Sequence, residues 1–419
     1  MALFKNIFPV RGRPTAELLT VGTELVTGTT VNTNASYLGR ELTQLGFRVE
    51  HQCACRDETE AIQEALQRAL ARSQVIVICG GLGPTPDDIT RQTLAEFFGV
   101  PLVLSRAQYR QIQRYYRSRG RTVPAIVKRE AYFPANAKPV FNEFGIALGF
   151  IIEERGRVIL VVPGVPRELV RLFETRLKPF LQGRFSRLRP LASLIVKTVG
   201  LSEPAVMRRL GRRFFRMGQF EFGIYPEAGE VGLRVYADSP ALIRRLRLRV
   251  KKVLGRHIYS FSEESLEAAI GRELVRKKGT LAIAESCTGG RIAELLTGVP
   301  GASRYLAGAV VAYQNGVKTR ILDVPDQLIK RRGAVSREVV LRMAFGVRAR
   351  FGATLGIGVT GIAGPGGGSR EKPVGLVYLA IASAGEKKAW KEQFRGERLH
   401  IQDRAAKKAL EYLWRWLKR

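Results

Sequence analysis

Apolar residues along this chain keep two rhythms. Short continuous runs, such as Val75-Ile76-Val77-Ile78-Cys79, Val158-Ile159-Leu160-Val161-Val162, Leu281-Ala282-Ile283-Ala284 and Leu355 to Thr360, suit strands covered on both faces. Ala16 to Val21 and Val374 to Ala382 read the same way, and Phe47 to Cys55 alternates like a strand. Helical spacing fills the intervals. It predicts a helix capped by Asn34 and ending near Gly46, and another behind the capping-box pair Asp57 and Glu60. A basic helix is expected over Arg106 to Arg119, and others from Ile89 to Phe98, from Pro166 to about Leu177 and from Glu263 to Lys278. Ser336 can cap Arg337 to Arg350, and Ile401 to Leu417 closes the chain with Ala405, Ala409, Leu413 and Leu417 on one face. Strands alternating with helices predict open, parallel α/β sheets.

The rhythm breaks around Gln182 to Pro190. Residues 191–260 read strand, helix, strand, strand, helix, an α+β pattern. The expected organisation is a 1–14 extension, an α/β domain over 15–180, a small α+β connector over 181–262 and a second α/β domain over 263–419. Length agrees, since 419 residues exceed one ordinary core.

Three glycine-rich turns follow buried strands. Gly80-Gly81-Leu82-Gly83-Pro84-Thr85-Pro86-Asp87-Asp88 is one, Glu285-Ser286-Cys287-Thr288-Gly289-Gly290 is the second, and Gly361 to Gly368 is the third. In open α/β sheets ligands collect beyond the carboxyl ends of strands. A turn that opens a helix also favours an anion such as a phosphate, and this is the expectation for Ser286 to Gly290.

Composition narrows the class. Apolar residues make up 45% and charged residues 25%, and no apolar run reaches the roughly 20 residues of a membrane helix. Met1 to Pro9 is too short for a secretory apolar segment, so a cytoplasmic location is expected. Cys53, Cys55, Cys79 and Cys287 form no CxxC pair, against a zinc or disulfide framework. The net charge of +32 predicts nonspecific attraction to polyanions. Between Ala205 and Arg256 there are 13 Lys and Arg against 4 Asp and Glu, a net of +9. That could be an RNA-binding surface, but no GXXG loop joins the helices, and a connector with a basic exterior is the plainer reading.

His51, His257 and His400 are the only histidines, and none lies in a glycine loop, which argues against a Ser-His-Asp triad. Serine can be activated by lysine instead. Ser303, Tyr313 and Lys318 are candidates. On spacing alone, the plainer alternative is a core aromatic at Tyr313 and a surface lysine at Lys318. Cys287 is a rival nucleophile, but it has no histidine nearby in sequence and reads first as a packing residue. Asp87 and Asp88 could hold a divalent ion against a pyrophosphate, or one could cap the following helix. Glu24, Asn32, Asn34 and Asp57 are possible neighbours at other strand ends.

These motifs carry a family resemblance from about Thr15 onward. Val21-Gly22-Thr23-Glu24-Leu25, Asn34-Ala35 and Gly80 to Asp88 resemble the N-terminal domain of the CinA (competence/damage-inducible protein A) family, related to molybdopterin-binding MoaB/Mog proteins. Residues 191–260 resemble its KH-like connector. Ala284 to Gly290, Ala312 to Lys318, Gly333 to Ser336 and Thr360 to Pro365 resemble its PncC domain. The implied fold is two open-sheet α/β domains joined by a small α+β KH-like connector. The implied activities are deamidation of nicotinamide mononucleotide, without a cofactor, and, as in some members of that family, metal-dependent hydrolysis of ADP-ribose by the N-terminal domain. The resemblance makes Ser303 the amidase serine, with Tyr313 and Lys318 as partners. It gives Ser286, Thr288, Thr360 and Arg398 to the substrate, and the glycine turns add Gly289, Gly290, Gly361 and Gly364 as expected substrate contacts. The motifs that carry the resemblance make Glu24, Asn34, Gly80, Gly81, Gly83, Thr85, Asp87 and Asp88 the expected N-terminal nucleotide site, with the paired carboxylates of Asp87 and Asp88 as the expected metal holders. A homodimer is implied as well. A nucleic-acid-associated competence factor and a non-catalytic nucleotide- or pterin-binding N-terminal module are the alternatives.

Overall fold

The computed structural model describes residues 12–227 and 229–419, so most of the expected 1–14 extension lies outside the described residues. The chain divides into two compact units, one holding residues 12–192 and 237–240, the other 193–236 and 241–419.

The first unit alternates strands and helices: β1 (Thr15–Val21), α1 (Thr23–Val26), α2 (Thr33–Leu45), β2 (Arg48–Cys55), α3 (Thr59–Arg72), β3 (Val75–Cys79) and α4 (Thr90–Phe97). A ribbon of β4 (Leu102–Leu104) and β5 (Tyr132–Pro134) brackets α5 (Arg106–Arg117). Then come β6 (Ala137–Val140), β7 (Gly149–Glu154), β8 (Arg157–Val162), α6 (Pro166–Leu172) and α7 (Lys178–Arg184). The main sheet has the order β2-β1-β3-β8-β7-β6. Its first four strands are parallel, and β7 and β6 are antiparallel. The all-parallel expectation is corrected there. Arg155 and Gly156, at φ 46° and 80°, make the two-residue turn from β7 into β8. Positive φ at both central positions suits a tight hairpin, so an antiparallel partner forms without a crossover helix.

Two predicted caps also change. Asn32, not Asn34, caps α2 by accepting from Ala35 N at 3.0 Å. Asp57 makes no capping box. Its Oδ2 accepts from Thr23 N at 2.7 Å and Thr23 Oγ1 at 3.0 Å, tying the end of β2 to the turn after β1. α2 does end at Gly46 in the left-handed region, and Ser336 caps its helix.

The second unit opens with β9 (Ala192–Val199), α8 (Glu203–Phe215), β10 (Glu221–Glu227), β11 (Glu230–Ala237), α9 (Pro240–Leu254) and β12 (Ile258–Ser260). These strands form a sheet of order β10-β11-β9-β12. It continues with α10 (Leu266–Arg276), β13 (Leu281–Glu285), α11 (Arg291–Thr297), β14 (Leu306–Val311), α12 (Asn315–Leu322), α13 (Asp326–Arg332) and α14 (Arg337–Arg350). β15 (Leu355–Gly361), β16 (Leu376–Ala382), β17 (Lys387–Gln393) and α15 (Arg398–Leu417) complete it. The five-stranded sheet has the order β14-β13-β15-β16-β17, parallel through β15 and antiparallel beyond.

The small sheet and α15 share buried groups. Lys407 Nζ lies 3.2 Å from Glu230 and 2.6 Å from Glu267, Tyr259 donates to Glu230, and Trp414 Nε1 donates to Arg256 O at 3.2 Å. Breaking one partner of such a cluster leaves a buried charge uncompensated, which costs about 3–5 kcal/mol.

Candidate active site

The chain leaves β13, crosses to β14 on one side, and later returns to β15 on the other. Such a reversal of strand order opens a crevice at the carboxyl ends. A cavity of about 230 Å3 lies there, lined by Ser286, Cys287, Tyr313, Lys318, Thr360 and Arg398, with Asn315, Ala334, Val335, Gly361 and Ala363 completing the wall.

Lys318 is the unusual group. It is 1% exposed, and Nζ donates to Ala312 O at 2.7 Å and Tyr313 O at 3.2 Å. Burial pulls its pKa below the ordinary lysine value. The neutral amine can make both of these bonds and keep a lone pair to accept a proton. Tyr313 is 57% exposed, and its hydroxyl receives Arg398 Nη2 at 2.5 Å. The same guanidinium donates from Nη1 to Gly364 O at 2.7 Å. The core-aromatic and surface-lysine alternative is therefore reversed on both counts.

Ser303 does not reach this cavity. It is exposed in a single 3-10 turn, Ala302–Arg304, at the opposite end of β14 from Tyr313. Six residues of strand separate those ends, about 20 Å at roughly 3.3 Å per residue. The serine that the fold places in the cavity with Lys318 and Tyr313 is Ser286, 8% exposed, one residue beyond β13.

The anion expectation at the Ser286–Gly290 turn is also corrected. Glu285 is fully buried and its carboxylate caps α11, taking Gly290 N at 3.0 Å, Ile292 N at 3.2 Å and Ala293 N at 2.9 Å. A phosphate there would meet a carboxylate already in its place. Gly289 and Gly290, at φ 65° and 104°, shape this turn, and an added Cβ would meet nothing closer than 3.7 Å. Thr288 is buried with Oγ1 unpartnered, and Thr360 Oγ1 donates to Ala334 O at 3.0 Å. Cys287 is buried, and burial pushes its thiol up to about 12, so it is protonated near neutrality. Asn315 lines the cavity and was missed as a site residue, although its stretch carried a motif. The Gln314-Asn315 step that starts α12 was the available signal.

In the first unit the expected residues gather at the ends of β1 and β3. A Cβ on Gly80 would sit 2.2 Å from Val21 O, and one on Gly81 2.0 Å from Thr90 Oγ1, and both residues have positive φ, so the neighbouring backbone holds Gly80 and the Thr90 side chain Gly81. Glu24 folds back over Gly22. Asn34 Nδ2 donates to Gly164 O at 2.7 Å and Cys79 Sγ at 3.4 Å. Asp88 Oδ2 accepts from Thr85 N at 2.9 Å and from Thr85 Oγ1, and lies against Gly83. Neither Asp87 nor Asp88 caps α4, whose N-terminus carries no side-chain cap.

Beneath the loop, Arg91 is 1% exposed and donates to Leu82 O and, at 3.2 Å, to Gly83 O. Buried Glu130 faces it, with Oε1 unpartnered. Burial raises the Glu130 carboxyl to about 7, against the attraction of Arg91. The expected metal pair fits poorly. One Asp88 oxygen is already taken, and among the described residues no three His, Cys, Asp or Glu side chains gather for a metal ion.

Two domain families match. "CinA C-terminal domain" covers residues 263–417, and "Probable molybdopterin binding domain" covers residues 17–183. The chain is thus a two-part protein, with a molybdopterin-binding-like sheet ahead of a CinA-type one. A relative from Desulforudis audaxviator, carrying a competence-damage inducible name, is 41% identical over 88% of this chain and 91% of its own. A CinA-like protein from Gemmatimonas aurantiaca is 37% identical over 95% of each. A crystal structure of the protein CinA from Thermoplasma acidophilum shares 33% identity, covering 40% of this chain and 98% of that one, with a TM-score of 0.38. The chain belongs to the CinA family. Among the described residues, no helix is long and apolar enough to cross a membrane.

Proposed function

We propose that the second unit is a cytoplasmic amidase that converts nicotinamide mononucleotide to nicotinate mononucleotide and ammonia, with Ser286 as nucleophile. The observation that carries this reading is buried Lys318, held by two carbonyls in the same cavity as a serine. An amide is a poor electrophile, so the hydroxyl needs a base, and a neutral lysine amine supplies one. Ser286 Oγ attacks the carboxamide carbon as its proton passes to Lys318 Nζ. The amine returns that proton to the departing nitrogen, and ammonia leaves. Water, deprotonated by the same amine, then opens the acyl-enzyme. Backbone N–H groups following Ser286 donate to the oxyanion. Tyr313 and Arg398 form the cationic side of the mouth and take the substrate phosphate. No cofactor enters these steps.

Ammonia release from nicotinamide mononucleotide by the purified chain tests this. Activity lost in Ser286→Ala and kept in Ser303→Ala is expected. The opposite pattern overturns the assignment.

For the first unit we propose binding of a phosphorylated nucleotide over Gly80 to Asp88, favoured by the forced glycine backbone at Gly80 and Gly81. ADP-ribose is the ligand to assay. A divalent ion beside Asp87 and Asp88 would need ligand oxygens and water to complete its shell.

A further inference from the structure

The small sheet of the second unit is covered by two helices of one charge. α9 carries six Lys and Arg and no acid, and α8 carries four Arg and only Glu203. The helices lie side by side, since Arg249 Nη2 of α9 donates to Leu210 O of α8 at 3.4 Å. Their apolar faces are buried, through Val206, Leu210 and Phe214 from α8 and Leu246, Val250 and Leu254 from α9, and Phe214 meets Phe222 of β10 edge to face. Arg208, Arg209 and Arg212 of α8 and Arg244, Arg247 and Lys251 of α9 are exposed. Among the described residues none of the six makes an ion pair, and the ion pairs of this sheet use Lys197, Arg234 and Glu230 instead. Arg247 rests on the Phe261 ring at 4.4 Å.

We propose that this α8–α9 face binds the phosphate backbone of duplex DNA without reading its sequence. Unpaired cations at such density are held against their mutual repulsion, and a polyanion relieves it. Arg244, Arg247 and Lys251 recur at three and four residues, so they share one stripe of α9. The stripe spans about 10 Å at roughly 1.5 Å per residue, a length over which a duplex carries about six phosphate charges at one per roughly 1.7 Å. A membrane surface fits less well. An interfacial helix needs Trp, Phe or Leu beside its cations, and here only Leu248, 69% exposed, stands among them. A single strand fits less well too, because both phenylalanines of α8 are buried and α9 has no ring on which a base could stack.

The test is salt-dependent binding of a labelled random-sequence 30-base-pair duplex to the full chain. The variant Arg208→Gln/Arg212→Gln/Arg244→Gln/Arg247→Gln is compared with Arg106→Gln/Arg110→Gln/Arg114→Gln/Arg117→Gln, which removes the same charge from exposed α5. The first should weaken binding at least about tenfold and flatten the slope of log K against log salt by about three to four, while the α5 variant changes little. Replacing the same four connector arginines with lysine should keep the affinity within a few-fold, which separates charge from folding. Equal losses in both glutamine variants would show attraction to net charge alone and overturn the proposal. So would unchanged DNA binding, with or without lost binding to vesicles of anionic lipid.

Discussion

The two glycine-turn regions occupy equivalent places. Each follows a central parallel strand, β3 in one unit and β13 in the other, in a sheet whose far edge is antiparallel. Their buried charges differ. Beneath Gly80 to Asp88, Arg91 donates to loop carbonyls, with the buried Glu130 carboxyl nearby. Beside Ser286, Lys318 has carbonyls only. A guanidinium hydrogen-bonded to two loop carbonyls stabilises a loop shape. Burial without a carboxylate partner draws the Lys318 amine pKa down, toward use as a base. The same topology thus presents a rigid binding loop in one place and a candidate base in the other.

The sharpest break in this comparison is at the amidase pair. Ser286→Ala and Lys318→Gln should each lower kcat for ammonia release by at least about 10³-fold, with Ser303→Ala and Cys287→Ala active. A steady-state comparison of the four variants checks it. A fully active Lys318→Gln would remove the base from the mechanism.

The titration of Lys318 gives the next test. Only the unprotonated amine accepts a proton, so kcat/KM should rise with pH through the lowered Lys318 pKa, below the ordinary lysine range. A profile flat from pH 6 to 10 would contradict this.

In the first unit, Asp88→Asn should reduce any release of AMP from ADP-ribose and leave ammonia release unchanged. Since Asp88 also holds Thr85, a thermal melt of the variant separates a loosened loop from a lost ligand contact.

The smallest effect concerns Glu130. Its carboxyl titrates higher in the folded chain than in the unfolded one, so its stabilising contribution is complete below about pH 4.5 and is lost as pH rises through about 7. A shift of this size corresponds to about 3 kcal/mol at most. Glu130→Gln should flatten the pH dependence of denaturant unfolding of the first unit across that window, and an unchanged dependence would place the titration elsewhere.

Much of this was legible one element at a time. Runs such as Val75 to Cys79 and Leu355 to Thr360 declared buried strands because both faces of a covered sheet select apolar side chains. The glycine turns were visible because their residues are contiguous. β7 and β17 were missed, although Arg155-Gly156 is a local hairpin signal for β7. The caps at Asn34 and Asp57 were misread, since each side chain had a distant partner, Gly164 for one and Thr23 for the other, that no local pattern reveals.

The nucleophile shows where local reading ends. Ser303 lies closer along the chain to Tyr313 and Lys318 than Ser286 does, and sequence proximity favoured it. Strand order decided otherwise. β13 and β14 run parallel as neighbours, so the residues just past their carboxyl ends, Ser286 and Tyr313, meet, and Ser303 is left at the far end of β14. The sequence by itself determined which segments become strands, helices and turns, because those depend on contacts within a few residues. The side of the sheet reached by each turn and the burial of Lys318 depend on pairings between distant segments, and only the tertiary structure decided them.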